Sequence, residues 1–103
     1  MTTANLTIIS KDMKVANVWG WNDGYQIDAF INTILKDSKV KNFGTPEELK
    51  QILLNADKEY GFDKAEQDEC NTDWTWVITI FDKKTATIVG CGEGRKKISC
   101  IKL

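Results

Sequence analysis

A chain of 103 residues with 42% hydrophobic and 28% charged side chains is sized and composed for one folded domain with one core, which excludes disorder as a whole-chain state. It contains no histidine, so Ser-His-Asp and Cys-His nucleophile systems are excluded and the commonest general base at neutral pH is missing. A net charge of −1 and a pI near 5.4 argue against a generic nucleic-acid binder, whose domains are usually basic.

The opening stretch "MTTANLTIIS" has no basic region followed by an apolar one and does not read as a secretory signal. No apolar run approaches the roughly 18 residues of a membrane span. The default expectation is a cytoplasmic protein with no membrane partner. Residues 5–9, "NLTII", predict a short strand, "SKDM" a hairpin connection, and residues 14–21, "KVANVWGW", a second strand. In that strand Val15, Asn17, Trp19 and Trp21 share one face, and Ala16, Val18 and Gly20 the other.

After "NDG", Asp23 and Gln26 have the spacing of a capping box. The helix that follows carries Ile27, Phe30, Ile31, Ile34 and Leu35 on one stripe and is expected to end near Asp37–Ser38. "KVKNFG" links it to a second helix with a stronger start: Thr45 as N-cap, Pro46 at the first helical position and Glu48 three residues after the cap. Leu49, Ile52, Leu53 and Ala56 form its stripe, extended by Tyr60, with Gly61 as the stop. Residues 62–72, "FDKAEQDECNT", read as an acidic loop. Three strands complete the chain, "WTWVITIF" (74–81), "TATIVGC" (85–91) and "KISCIKL" (97–103), joined by "DKK" and "GEGRK" as a meander. The expected fold class is α+β: a single domain over residues 1–103, with a mostly antiparallel five-stranded sheet in the order β-β-α-α-β-β-β and both helices packed on one face. The other face of such a sheet meets water or a partner.

All four tryptophans fall in two W-x-W pairs, Trp19/Trp21 and Trp74/Trp76. Residues two apart on a strand share a face. Trp74 and Trp76 continue into Ile78 and Ile80, the heavier face of their strand, and are expected in the core. Trp19 and Trp21 sit at a strand end among polar neighbours, where packing and an exposed anchoring role stand side by side.

The remaining chemistry is sparse. Cys70, Cys91 and Cys100 are an odd set, spaced 21 and 9 apart, which fits a reducing compartment and offers no zinc knuckle. In the last hairpin Cys91 is expected opposite Lys96 or Lys97, and Cys100 opposite Thr87 or Ile88, an offset of roughly 10 Å at 3.3 Å per residue. That spacing is outside disulfide reach, so both cysteines are expected as small buried hydrophobes, with Cys70 the reactive thiol. "GCGEGRKK", residues 90–97, resembles a phosphate loop in composition only, because a strand rather than a helix follows the glycines. A hairpin turn using glycine, with lysines guarding a strand edge, is the plainer reading. No metal set and no cofactor motif is expected.

The charge is unevenly laid out. Residues 57–82 carry a net −6 and residues 83–103 a net +5, which either neutralise each other or meet partners. The leading functional expectation is a non-catalytic protein-binding module, such as a small inhibitor or antagonist of the phage anti-defence, host-takeover or immunity type. It would act on a protein partner through aromatic anchors and electrostatic matching. The expected contact residues are Trp19, Trp21, Asp63, Glu66, Asp68, Glu69, Arg95, Lys96 and Lys97. The alternative is nucleic-acid or nucleotide binding, with Lys83, Lys84 and Arg95–Lys97 on phosphates and an exposed tryptophan stacking on a base. An enzyme would need a cofactor or partner to supply the missing chemistry.

Overall fold

The computed structural model describes residues 2–20, 23–56, 62–63 (backbone) and 72–103. Strands β1 (Ala4–Ser10) and β2 (Val15–Gly20) form a hairpin, followed by a 3-10 turn (Gly24–Gln26) and helices α1 (Ile27–Asp37) and α2 (Pro46–Ala56). A two-residue strand β3 (Phe62–Asp63) and the meander β4 (Trp74–Ile80), β5 (Thr85–Gly92) and β6 (Arg95–Lys102) complete the chain. The sheet order is β3-β2-β1-β4-β5-β6. The α+β class and the element order follow the sequence reading. The sheet is mostly antiparallel, with β1 and β4 as its one parallel pair.

Two differences concern the strands. The stretch read as an acidic loop begins with β3, whose backbone pairs Trp19 with Asp63 and Gly20 with Phe62. The parallel pair at the centre arises because the chain, after both helices and the short β3 beside β2, enters β4 on the other side of β1. Its start is fastened by Thr3 and Asp73. The Thr3 N–H donates to Asp73 Oδ2 at 3.1 Å, and the Trp74 N–H donates to the Thr3 carbonyl at 3.0 Å.

The core lies between the sheet and the helices. Alternation along the strands sends Ala4, Leu6, Ile8, Val18, Trp74, Trp76, Ile78, Ala86 and Ile88 inward, where they meet Ile27, Ile31, Ile34 and Leu35 of α1 and Leu49 and Leu53 of α2. The expected stripes are therefore buried, except that Phe30 and Ile52 are half-buried at the margin and Ala56 is exposed. Tyr60 and Gly61 lie outside the described residues. Phe43, in the connection between the helices, is fully buried and was not expected in the core. Its N–H donates to the Lys83 carbonyl at 2.9 Å, tying that connection to the β4–β5 turn.

The two helix starts differ. Thr45 and Glu48 form the reciprocal capping box: the Glu48 N–H donates to Thr45 Oγ1 and the Thr45 N–H to Glu48 Oε1, each at 3.2 Å. The box expected from Asp23 and Gln26 does not form. Asp23 adopts φ 52° and makes no side-chain cap bond. The reason is tertiary: the Gly24 N–H donates to the Thr2 carbonyl at 2.9 Å, and a Cβ at Gly24 would come within 2.7 Å of the Thr3 carbonyl. Docking onto the start of β1 sets this turn, and only glycine fits there.

Candidate functional site

The sheet has one sealed face and one face that no described helix covers. Strand register arranges the uncovered face in transverse rows. One row runs Trp19, Asn5, Thr75, Cys91, Lys96; the next Asn17, Thr7, Val77, Val89, Ile98; the third Val15, Ile9, Thr79, Thr87, Cys100. β-Branched residues dominate, as expected on a pleated surface. The first row continues past Trp19 to Asp63 of β3; across the other five strands these rows hold no carboxylate, and Lys96 is their only charge. Ile98 is 66% exposed, Val15 51% and Phe81, the next residue of the same parity beyond β4, 42%. Val15 and Ile98 stand four strand steps apart on this face, with half-buried Ile9, Val77 and Val89 among threonines between them.

Trp19 is half-buried on this open face, in the same row as Lys96. Adjacent strands lie about 4.8 Å apart, so four strand steps place these two residues roughly 19 Å apart. Arg95 and Lys97, expected to act together with Lys96, point to the opposite side of the sheet. Trp21, Glu66, Asp68, Glu69 and Cys70 lie outside the described residues, and Asp63 is described only through its backbone pairing with Trp19.

On the sealed side the second tryptophan pair is clamped. Trp74 and Trp76 are fully buried, as their spacing predicted, and their rings stack at 5.5 Å with an 18° interplanar angle. Register sets Trp74 opposite Gly92 and Trp76 opposite Gly90. A Cβ at Gly90 would fall 2.5 Å from the Trp76 ring, and one at Gly92 2.4 Å from that of Trp74. The alternating glycines of "GCGEG" are therefore the beds on which the two indoles lie. Only the turn residues Glu93 (φ 51°) and Gly94 (φ 73°) need positive φ, forming the two-residue hairpin loop that favours such residues.

Both indole N–H groups find acceptors. Trp76 Nε1 donates to the Gly24 carbonyl at 2.7 Å, and Trp74 Nε1 to Glu93 Oε1 at 3.2 Å. Lys97 Nζ sits 5.9 Å from both ring centroids, donates to the Tyr25 carbonyl at 2.7 Å and pairs with Asp28 Oδ1 at 3.7 Å. Arg95 lies 5.8 Å from the Trp74 centroid and bonds Glu93 Oε2 at 3.2 Å. Two cations of the "RKK" stretch thus close the end of the core against the α1 start. The signal for this clamp was present in the sequence as W-x-W facing G-x-G across one hairpin.

Cys91 and Cys100 are exposed, which corrects the expectation that they are buried. They stand opposite Lys96 and Thr87, the register expected, but on the open face. Two exposed carboxylates are held below their ordinary pKa: Asp12 chiefly by the Ser10 hydroxyl, and Asp82 chiefly by the Lys84 backbone N–H, which donates at 2.8 Å. Both serve turns. Among the described residues, no cluster of three or more His, Cys, Asp or Glu side chains could hold a metal ion, and no helix is long and apolar enough to cross a membrane. No protein-family model, curated protein or solved structure matches this chain.

Proposed function

We propose that this chain is a non-catalytic protein-binding module, of the kind used as small inhibitors or antagonists in phage anti-defence, host takeover or immunity. The observation that carries this reading is the uncovered sheet face, with Trp19, Val15, Val77, Val89 and Ile98 set in register among threonines. A sheet face with few charges suits a protein partner better than a small substrate, which favours a concave pocket. The absence of histidine from the sequence leaves little for catalysis to use. The acidic stretch containing Asp63, Glu66, Asp68 and Glu69 supplies steering toward a basic partner.

Nucleic-acid binding is the weaker reading. Lys83–Lys84 and Arg95–Lys97 lie at opposite ends of the eight-residue β5, roughly 25 Å apart at strand rise. Arg95 and Lys97 are also engaged on the tryptophan rings.

The test is capture from a lysate of the native source, comparing wild type with a Val15→Glu/Trp19→Ala variant. Retention of one protein by wild type, lost in the open-face variant, is expected. Charge reversal at Glu66, Asp68 and Glu69 should slow association at low salt. Salt-sensitive retention of nucleic acid, or retention indifferent to the open-face substitutions, overturns the reading.

A further inference from the structure

β6 is one of the two edge strands of the sheet, β3 the other. The Leu103 N–H donates to the Lys84 carbonyl at 2.8 Å, and antiparallel pairs alternate between bonded and non-bonded positions. Counting back through the register, Arg95, Lys97, Ser99 and Ile101 spend their backbone groups on β5. Lys96, Ile98, Cys100 and Lys102 therefore turn their N–H and C=O groups outward. Beside this edge, where α1 ends, lies a cleft of about 250 Å³ lined by Leu35, Val40 and Ile101 together with Lys36, Lys39 and Lys102. No Asp or Glu lines it. None of its three lysines has a carboxylate partner among the described residues.

We infer that the β6 edge and this cleft form a groove for an extended acidic peptide, which adds as a further strand and drops one apolar side chain between α1 and β6. This mode of recognition takes affinity from main-chain bonds and specificity from the side-chain pocket. The charge selects the occupant. A second copy of β6 would bring Lys96 and Lys102 against their like, so the same lysines that guard the edge from self-pairing admit an acidic strand. The inference rests on the protein-binding reading and names the chemistry of one partner segment.

The test is an array of peptides eight residues long, the length of β6, in paired sets where Glu alternates with apolar residues or Lys replaces every Glu. Hits are measured in solution by fluorescence anisotropy. Binding is expected in the acidic set only, weakened about tenfold by Lys36→Glu with Lys39→Glu. Cys100→Pro removes one outward N–H and no bond to β5, a substitution that edge strands tolerate. It should weaken binding while Cys100→Ala does not. Should the proline variant fail to fold, amide shifts of Lys96, Ile98, Cys100 and Lys102 on peptide addition give the same answer. No acidic hit, equal binding of both sets, or shifts confined to other strands overturns the groove. If the groove fails while the open-face variant still loses its captured protein, the protein-binding reading stands; loss of both results removes both.

Discussion

The ring of Trp76 lies over Gly90 of the neighbouring strand, so close that a Cβ there would sit 2.5–2.6 Å from three of its atoms. Trp74 repeats the relation with Gly92. Gly90→Ala and Gly92→Ala should each cost about 1–3 kcal/mol by overpacking, read as lower urea midpoints. Gly94→Ala has open space around it and loses only what its left-handed φ imposes, about 1–2 kcal/mol. Trp76→Leu should relieve Gly90→Ala and leave Gly94→Ala unchanged. Simple additivity in both double-mutant cycles would refute the bedding.

Lys97 joins the sheet to the start of α1. Lys97→Met keeps the aliphatic stem and deletes the ammonium, removing the contacts to both rings, to the Tyr25 carbonyl and to Asp28. A loss of about 1–2 kcal/mol is expected, with a change in tryptophan fluorescence. The Asp28 Oδ1 atom, buried and without a hydrogen-bond partner, is then left unpaired as well. Asp28→Asn should recover part of the loss. An unchanged unfolding midpoint in Lys97→Met would show that the clamp contributes nothing.

Thr45→Ala breaks one half of the α2 capping box and should cost about 0.5–2 kcal/mol. The equivalent change at Asp23 should cost less, since Asp23 makes no side-chain cap bond. Thermal unfolding of the two variants side by side gives the comparison.

Cys91 and Cys100 are exposed. Both should react with an aromatic disulfide reagent in the folded protein without denaturant. Mass spectrometry should find no Cys91–Cys100 bridge, because their partners across the hairpin are Lys96 and Thr87. A thiol that reacts only after unfolding would return that residue to the core.

Asp82 is held below its ordinary pKa of 3.8 by the backbone N–H of Lys84. The folded state therefore binds this proton more weakly than the unfolded chain does. Its stabilisation is complete above the unfolded value and is lost as pH falls through the folded one. Stability should decline as pH drops below 3.8, and the decline should be shallower in Asp82→Ala. Asp12 contributes in the same direction through Ser10, so some slope remains in the single variant.

Local chemistry was the legible part of the fold. Thr45, Pro46 and Glu48 announce α2 because their cap is made within four residues. The i, i+3, i+4 stripe of α1 and the alternation of β4 set which faces are buried. What escaped was decided at a distance. Gly24 is fixed by Thr2 and Thr3, Phe43 is drawn inward beside the β4–β5 turn, and β1 pairs with β4 across a sequence separation of 70 residues. At the candidate site, the alternation that put Trp74 and Trp76 inside also separates Lys96 from Arg95 and Lys97. Treating "RKK" as one patch ignored that alternation. The exposed cysteines escaped for a related reason: apolar neighbours along the strand do not say which face of the sheet the helices cover.

The proposed function requires the face bearing Trp19 and Ile98 to be open in the free chain and covered by a protein in the complex. Hydroxyl-radical footprinting with mass spectrometry, on the free chain and on the captured complex, tests it directly. Labelling of Met13, Val15, Phe81 and Ile98 in the free chain, with protection of Val15 and Ile98 on binding, is the expected result. Protection confined to the outer surfaces of α1 and α2, or an open face that fails to label in the free chain, would contradict it.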